Sequence, residues 1–562
     1  MKSIGLFFLY QFAFIQLILG IFWLLGMSII NYSLLISFLL TSLLWLYFKL
    51  LSLKSSLLVV LIWLTSCLIA SIMPDFSIDG QVYHQPIIFA LTNGWNPVLL
   101  HHNDIINPAW EVNIWIDHYC KGLEFLSASI VSVTGNMESG KAVNILIPIS
   151  SFLLLLDCLG RYFSSKLGSK LILLLSLVSC TPAILASQVF TYYIDWASYY
   201  IILLFLVGGW YIYNNNIKDG VLILIPTLYL AIGIKYNLTF WAFYFLTVIA
   251  FYCYYMKIDN KKLLAIVVSM MFVSAISVSL TNFNPYFSNI IDHGNPTYPI
   301  STNSDSNKFL DHGAQPNYMM SWNRVQRILF SMFTTPSNEH SLPHYPWEMC
   351  KYEDISNPAC VVGGWGVLFP ISLLLSIIFF ILCPELQKKK KFIFFSIVIF
   401  ATTLILPYGS CYRYVPFTSG IPLIFIIYIL FGPSKKQKYI GGGLLTLLLI
   451  NFFITFFSTS ILSLSSRIAT DYYVRQIKKG VKDSYVTWGW AFYYKVNKDY
   501  FNIDNENNKI LDLRRESDSF KQEEGKYKRA HIQPYEVLID TTKVDIRGSK
   551  SELEAMIIRN DD

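Results

Sequence analysis

The chain has 562 residues, of which 54% are hydrophobic and only 14% are charged, and its mean hydropathy is +0.47. This composition excludes a soluble globular protein, because it holds far more apolar surface than a water-soluble core can bury. The net charge of +7 is modest and comes largely from basic loops, so it does not indicate nucleic-acid binding.

About thirteen stretches are long and apolar enough to cross a bilayer, since a spanning helix needs roughly 20 predominantly apolar residues. The sequence therefore predicts an all-α polytopic membrane protein with about 13 transmembrane helices. The predicted spans are 5–26, 28–47, 56–73, 143–160, 171–190, 196–213, 220–235, 237–256, 263–281, 362–383, 392–408, 414–432 and 439–462.

Basic residues mark alternate loops between these spans. Short loops rich in lysine and arginine stay in the cytoplasm, so the alternation predicts a cytoplasmic amino terminus. It also predicts three polar pieces outside the membrane, at 74–142, 282–361 and 463–562. The basic residues are Lys49, Lys54, Arg161, Lys166, Lys170, Lys218, Lys257, Lys261, Lys262, Lys388, Lys389, Lys390, Lys391, Lys435, Lys436 and Lys438.

We expect two domains, a transmembrane domain at 1–462 and an extracytoplasmic tail at 463–562. The tail is polar, and segments such as SYVTWGWAFYYKVNK and PYEVLIDTTKVDI show the alternation typical of β-strands. The tail is therefore expected to be a small α/β or partly disordered domain.

The first outer loop opens with two aspartates, Asp75 and Asp79, followed by Tyr83 and His84. A carboxylate at the membrane surface is a candidate general base or metal ligand. The alternative is a loop aspartate that caps the following helix. That helix is predicted over QVYHQPIIFALTNG, which is amphipathic and ends at a glycine, and we expect it to lie along the membrane interface.

Later in the same loop, Asp117, Lys121 and Glu124 gather at the start of a second predicted helix, from about residue 121 to 133. A helix amino terminus with a basic neighbour is a candidate anion site. Glu124 is a candidate for orienting a substrate or a base, and the alternative is that it complements the helix dipole.

Three ionisable residues lie at the predicted outer ends of spans: Asp195, Lys235 and Arg413. Burial of such groups near a membrane is costly and usually indicates function. Lys235 and Arg413 are candidate phosphate contacts, together with the neighbouring Tyr414, because a guanidinium offers bidentate geometry to an anion. Snorkelling of a lysine from a helix end is the alternative for Lys235.

The second large outer loop is rich in Asn, Pro, Tyr and Gly, which fix turns and offer uncharged hydrogen-bonding groups. Asn284 and Tyr298 are candidate sugar contacts, or members of a well-ordered loop. Cys350 and Cys360 share this loop, where an oxidising compartment would permit a disulfide, and two unpaired thiols are the alternative.

Seven phrases follow one another along roughly residues 56–432: DGQVYHQP, GWNP, HYCKGLEFLSA, TGNMESGKAVN, FNPYFSNIIDHGNPTYP, GGWGVLFP and CYRYVPF. In this order they resemble the bacterial membrane glycosyltransferases of the GT-C superfamily. Relatives in that superfamily include protein mannosyltransferases, lipid A aminoarabinose transferases and oligosaccharyltransferases.

The resemblance implies a GT-C-like architecture and a transferase in the bacterial cytoplasmic (inner) membrane. Such an enzyme takes a sugar from a polyprenyl-phosphate donor and places it on a glycan, lipid or protein acceptor at the outer face, among membrane lipids. In that superfamily an acidic residue of the first outer loop acts as base or metal ligand. The matching position is Asp79, with Asp75 next, and a divalent cation such as Mg²⁺ or Mn²⁺ is the candidate cofactor. The superfamily often has two adjacent acidic residues where this chain has DFSID, so both positions stay candidates.

The residue types fit this chemistry independently. A lipid phosphate leaves as a stable anion, so positive charge from Lys235, Arg413 and Lys121 suffices for it. The acceptor hydroxyl needs a base, for which Asp79 is the first candidate, with Glu124 or Asp195 orienting the reactants.

Two other functions remain open from the sequence. One is a flippase or transporter for a lipid-linked sugar, although transporters place ionisable groups at mid-bilayer. The other is an O-antigen-type polymerase or ligase, for which Arg324 and Arg327 would be the active arginines. That reading leaves the acidic first loop without a role.

Overall fold

The protein is described by a computed structural model. The structure describes residues 1–28, 30–48, 52–77, 79–102, 110–255, 260–300, 316–319, 321–337, 360, 362–383, 386–405 and 409–478, together with short strands nearer the carboxyl terminus. Cys350 lies outside the described residues, and so does its pairing with Cys360.

The described chain is predominantly helical, with four short strands near the carboxyl terminus. The helices are α1 (Lys2–Leu24), α2 (Ile30–Tyr47), α3 (Leu53–Ile72), α4 (Gln85–Thr92), α5 (Trp110–His118), α6 (Gly122–Thr134), α7 (Val143–Ser179), α8 (Ala183–Gln188), α9 (Asp195–Tyr213), α10 (Ile217–Ile234), α11 (Tyr236–Tyr255), α12 (Asn260–Ile276), α13 (Phe283–His293), α14 (Arg324–Met332), α15 (Phe369–Leu382), α16 (Leu386–Ile405), α17 (Gly420–Leu430) and α18 (Lys435–Lys478).

The predicted all-α polytopic fold is confirmed. Within the described residues, nine helices are long and apolar enough to cross a membrane, and four further apolar helices are shorter. Each predicted span falls on a helix, and the spans at 143–160 and 171–190 both fall on α7. α1, α9 and α10 form the centre of the bundle, since 72% of the apolar window of each is buried, against 22% in α3.

α7 is a hairpin rather than one straight rod. A straight helix of its 37 residues would be about 55 Å long. Yet Asn144, near its start, donates hydrogen bonds to the backbone carbonyls of Val189 and Thr191. The chain reverses at Gly168, whose φ of 73° and ψ of 157° interrupt the helix. Two antiparallel segments therefore occupy the two predicted spans.

Polar contacts at one end of the bundle join segments that the basic-loop pattern assigns to the cytoplasm. Lys2 pairs with Asp219 at 2.7 Å, and Arg161 lies 3.5 Å from both Asp157 and Asp219. These residues belong to the start of α1, to the first half of α7 and to the start of α10. The ends of three helices that were predicted to share a membrane face thus meet at one place.

Small residues let the central helices approach closely. A Cβ on Gly122 at the start of α6 would lie 2.7 Å from the backbone of Gly233 in α10. A Cβ on Gly208 in α9 would lie 2.8 Å from Leu224 of α10. Close backbone contact of this kind is a general means of helix association in membranes. It fixes α6, α9 and α10 relative to one another, and these helices border the site described below.

The last helix, α18, is 44 residues long and therefore about 66 Å, roughly twice the thickness of a bilayer core. Near its far end the Ser463 hydroxyl donates to the carbonyl of Pro74, and the Arg467 guanidinium donates to the carbonyl of Ile72. The end of α18 thus holds the point where α3 passes into the first outer loop.

Beyond α18 the described residues form a four-stranded antiparallel sheet in the order β1-β3-β2-β4. Its strands are β1 (Tyr485–Val486), β2 (Tyr527–Ile532), β3 (Tyr535–Asp540) and β4 (Ile558–Arg559). β1 and β3 fall inside the two segments whose alternation predicted strands. The separate extracytoplasmic domain at 463–562 stays a prediction.

Candidate functional site

Four charged side chains from four distant stretches form a continuous row of ion pairs. Asp79 Oδ2 lies 2.9 Å from Arg413 Nη2, and Arg413 Nε lies 2.9 Å from Asp195 Oδ2. The other oxygen of Asp195, Oδ1, lies 2.5 Å from Lys235 Nζ. Four of the residues singled out in the sequence are thus brought together in alternating sign.

Each member of this row sits where a helix begins or ends. Asp79 precedes the π-helical turn Gly80–His84 that leads into α4. Asp195 is the first residue of α9, and Lys235 follows the last residue of α10. Arg413 lies in the 3₁₀ turn Tyr412–Tyr414. Helix ends at one face of a bundle are where charged groups from separate segments can meet without crossing the apolar interior.

Aromatic rings surround the two cations. The guanidinium carbon of Arg413 lies 4.3 Å from the ring centre of Tyr193, and Lys235 Nζ lies 4.9 Å from that of Tyr414. Such cation–π contacts strengthen as water is excluded. Burial opposes the charge on Arg413, but Asp195, followed by Tyr193 and Asp79, raises the pKa of Arg413, so it stays cationic.

The surrounding phenols keep their protons. Burial raises the pKa of Tyr83, and the negative charge of Asp79 raises it further. Burial likewise raises the pKa of Tyr193 and of Tyr414. These three groups are therefore neutral at physiological pH and can act as hydrogen-bond donors.

Gln188 supports this row, and the sequence analysis missed it. Its Nε2 donates to Asp195 Oδ2 at 3.1 Å, and its Oε1 accepts from the backbone amide of Trp196. Gln188 is fully buried at the end of α8. A glutamine inside the apolar run 171–190 was the signal that could have identified it, because a polar side chain in a predicted span is costly unless it is used.

Asp75, a candidate base in the sequence, is fully buried and lies outside the row. Its carboxylate accepts hydrogen bonds from the amide of Ser77, from Gln85 Nε2 and from the amide of Tyr192. Burial raises the pKa of Asp75, although Lys141 and Ser77 act in the opposite direction. Because donors from Ser77, Gln85 and Tyr192 occupy its carboxylate oxygens, Asp75 holds these segments together. It does not have the geometry of a solvent-facing base.

A buried ion pair within TGNMESGKAVN supports the same hydrogen-bonded segment around Asp75. Lys141 Nζ lies 2.7 Å from Glu138 Oε2, which also accepts from the backbone amide of Asp75 at 3.0 Å. Lys141 donates as well to the backbone carbonyls of Met73 and Phe190. The pair therefore ties the chain before Asp79 to the chain before Asp195.

Glu124 and His84 pair with each other inside the protein. Nδ1 of His84 lies 2.5 Å from Oε1 of Glu124, and both side chains are almost completely buried. The predicted helices that carry them are present, and most of α4 is buried against α6 rather than exposed along an interface. The pair fixes α4, and with it the turn that follows Asp79.

Lys121 is also buried, so it does not offer an open anion site. Its Nζ donates to the carbonyls of Asp117 and Tyr119 and, at 2.7 Å, to Oδ1 of Asn284. Burial lowers the pKa of Lys121 to about 8. Burial alone would raise the pKa of Asp117, but the hydrogen bond from His102 lowers it below its usual value. Lys121 and Asn284 thus connect the two segments that were predicted to be outer loops.

Tyr298 lies in a neighbouring aromatic and amide cluster. Its ring stacks on His293 with centroids 3.7 Å apart, and its carbonyl accepts from Asn289 Nδ2. Oδ1 of Asn289 also accepts a hydrogen bond from Nδ1 of His118 at 2.8 Å. Tyr236, which directly follows Lys235, connects this cluster to the row, because its hydroxyl donates to the carbonyl of His118 at 2.8 Å and accepts from Asn289 Nδ2 at 3.0 Å.

A divalent cation at Asp79 stays a prediction. Among the described residues, no three His, Cys, Asp or Glu side chains converge in a way that could bind a metal ion. Asp79 itself is bound to a guanidinium.

Comparisons with known proteins give one structural similarity. No family model and no curated protein matches the chain. The chain is similar to a crystal structure of ArnT from Cupriavidus metallidurans in the apo state, at 10% sequence identity and a TM-score of 0.39. The similarity covers 86% of this chain and 96% of that chain. At this identity and TM-score, function has to be argued from the residues themselves.

Proposed function

We propose that this chain is a membrane glycosyltransferase of the GT-C type. It would move a sugar from a polyprenyl-phosphate carrier to an acceptor at the outer face of a bacterial cytoplasmic membrane. The observation that supports this most is the row Asp79–Arg413–Asp195–Lys235, which gathers a partly exposed carboxylate and two cations at one end of a membrane bundle.

Arg413 and Lys235 are suited to stabilise the lipid phosphate as it leaves. When the bond between the sugar and the phosphate oxygen breaks, negative charge develops on a lipid phosphate. Arg413 and Lys235 both pair with Asp195, so an anion bound next to that carboxylate lies close to both positive charges. Preorganised positive charge in a place with little water stabilises such an anion strongly. A general acid is not needed.

Asp79 is suited to act as the general base. Its side chain is 27% exposed, whereas that of Asp195 is 2% exposed. An acceptor hydroxyl can therefore reach Asp79 and pass its proton to the carboxylate while its oxygen attacks the anomeric carbon. A single displacement of this kind inverts the anomeric centre. Tyr83 and Tyr414, neutral and close by, are placed to donate hydrogen bonds to sugar hydroxyls.

An apolar cavity offers room for part of a lipid chain. Its volume is about 320 Å³, and it lies between the two arms of the α7 hairpin, α8 and α18. Pro148, Phe152, Leu185, Val189 and Phe456 are among the side chains that line it. Val189, which lines the cavity, directly follows Gln188, the partner of Asp195. A carrier with a hydrocarbon tail and a phosphate head matches that arrangement.

The row also favours an enzyme over a transporter. Transporters bind their substrates near the middle of the bilayer, between broken helices. Here the described charged clusters lie at helix ends, with Asp195 and Lys235 at one end of α9 and α10 and Asp219 at the other. The acceptor, whether glycan, lipid or protein, is left open by this geometry.

The test is turnover by the purified protein in lipid vesicles. Synthetic polyprenyl-phosphate hexoses and pentoses are supplied as donors together with a panel of glycan, lipid and protein acceptors, and release of polyprenyl phosphate is followed by chromatography. We expect turnover of at least one donor, and loss of it by about 100-fold or more in Asp79→Asn. Lys2→Gln, which changes the opposite end of the bundle, is the matched control and should keep the wild-type rate. Equal turnover in wild type and Asp79→Asn would overturn the assignment of the base.

A further inference from the structure

The charges of the row cancel. Arg413 and Lys235 contribute two positive charges, and Asp79 and Asp195 contribute two negative ones. Arg413 uses Nη2 for Asp79 and Nε for Asp195, so its guanidinium fork is occupied on both sides. An incoming phosphate therefore meets a neutral, internally paired cluster. It can contact Arg413 fully only if one of the two carboxylates moves away.

The two carboxylates are held very differently. Asp195 is enclosed at the start of α9 and is bound by Lys235, Arg413 and Gln188. Asp79 is the more exposed of the two and, among the described contacts of its carboxylate, is bound through Oδ2 to Arg413. An ion pair between partly exposed groups contributes little to stability, whereas removing one partner of a buried pair is strongly destabilising. Asp79 is therefore the carboxylate that an incoming phosphate can displace from Arg413.

We propose that the phosphate of the lipid-linked donor replaces Asp79 on Arg413 and thereby frees Asp79 to act as the base. This inference rests on the proposed function. In the resting protein Oδ2 of Asp79 is engaged by the guanidinium and is not free to take a proton. Once the phosphate occupies Arg413, Asp79 turns towards the acceptor.

The reaction then balances as follows. The acceptor oxygen forms a bond to the anomeric carbon, and its proton goes to Asp79. The bond from that carbon to the phosphate oxygen breaks, and its electron pair leaves with the lipid phosphate, which stays on Arg413 and Lys235. Departure of the lipid phosphate lets Asp79 lose its proton to water and return to Arg413. Donor binding therefore precedes deprotonation of the acceptor.

The pairing with Arg413 also keeps Asp79 from acting as a base while the site holds no donor. A free phosphate anion and a lipid phosphate share the chemistry that would displace Asp79. They are separated by using farnesyl phosphate as the probe beside inorganic phosphate.

The experiment measures binding of farnesyl phosphate to the full-length protein in detergent, by calorimetry or by thermal shift. If Asp79 competes for Arg413, then Asp79→Asn should bind the probe about tenfold more tightly than wild type while losing transfer. Asp195→Asn should not bind it more tightly, and Arg413→Gln should lose binding by at least tenfold. Asp79→Ser is the second variant, in case the asparagine variant does not fold.

Equal or weaker binding in both Asp79 variants overturns the displacement, and so does the absence of binding in wild type and variants alike. Tightening seen with inorganic phosphate but not with farnesyl phosphate also overturns it, because the lipid donor would then not be the displacing anion. These results are independent of sugar turnover. A protein that shows the tightening but turns over no lipid-linked sugar contradicts the proposed function and not the competition at Arg413.

Discussion

The backbone amide of Tyr192 donates a hydrogen bond to Oδ2 of Asp75 at 3.2 Å, across 117 positions of sequence. Asp79 lies four residues after Asp75, and Asp195 lies three residues after Tyr192. This single contact therefore sets the distance between the two segments that supply the carboxylates of the site. The ion pair of Lys141 and Glu138 reinforces this contact, because Glu138 also binds the backbone amide of Asp75.

Replacing Asp75 should damage the fold, whereas replacing Asp79 should not. In Asp75→Asn either orientation of the amide turns an NH₂ group towards a backbone or Gln85 donor, so a buried hydrogen bond is lost. We expect the free energy of unfolding to fall by about 2 kcal/mol. Asp79→Asn should change it by roughly 0.5 kcal/mol or less, because the pair with Arg413 is partly exposed. Thermal unfolding in detergent measures both, and equal losses would contradict the difference in role.

The buried pair of Asp195 and Lys235 should show strong coupling. Asp195→Asn leaves two cations close together with Asp79 alone to balance them, and should cost about 3 kcal/mol of stability. Lys235→Gln should cost less, since Arg413 still neutralises Asp195. The double variant should lose less stability than the sum of the two single losses, by about 1 kcal/mol or more. Additive losses in a double-mutant cycle would show that the pair is not coupled.

Lys121 should make stability depend on pH in the alkaline range. Burial lowers the pKa of Lys121 from 10.5 to about 8. Between these values the unfolded chain binds more protons at this position than the folded chain does, so the free energy of unfolding contributed by Lys121 rises with pH. Between pH 8 and 9.5 the gain should approach about 2 kcal/mol. It is measured as the difference in stability between wild type and Lys121→Met at each pH, which removes the contribution of other groups. A constant difference would contradict the lowered pKa.

Gly168 should be needed for the reversal of α7. Its φ of 73° with ψ of 157° belongs to a region that is essentially restricted to glycine. Gly168→Ala should therefore lower the free energy of unfolding by about 1–3 kcal/mol. Gly160→Ala, in the helical part of α7 with open space around it, is the matched control. It should be neutral or slightly stabilising, because alanine is the better helix former.

Cysteine labelling should place the two ends of the bundle on opposite sides of the membrane. The described native cysteines are buried or half-buried, so they form a low background. Asn93 and Lys218 are exposed. In intact spheroplasts Asn93→Cys should react with a membrane-impermeant maleimide, and Lys218→Cys should react only after permeabilisation. The reverse pattern would put the charged row in the cytoplasm and contradict the predicted orientation.

The helices could be read from the sequence because hydropathy reports directly on the need to avoid exposing backbone groups to lipid. The four charged residues were found because Asp, Lys and Arg at span ends are costly. Their partners could not be assigned in the same way. Whether Asp75 or Asp79 stays partly exposed depends on which of them meets Tyr192 and Gln85, and those contacts exist only in the folded chain.

The partners of Lys121 could not be predicted from the local sequence either. Its position before a helix predicted an anion site, since helix amino termini attract negative charge. Two backbone carbonyls and Asn284 take up its ammonium instead. Local sequence gives the charge and the helix, but the partner from a loop 163 positions away decides what the charge does.

The contact of Arg467 with the end of α3 bears on how the protein is made. Ser71 and Ile72 leave the ribosome early, and Arg467 follows them almost four hundred residues later. Arg413 likewise emerges long after Asp79. A nascent chain that is still being inserted thus lacks both Arg413 and the contact of Arg467 that supports the start of the first loop. The complete row of ion pairs can therefore form only when synthesis is nearly complete.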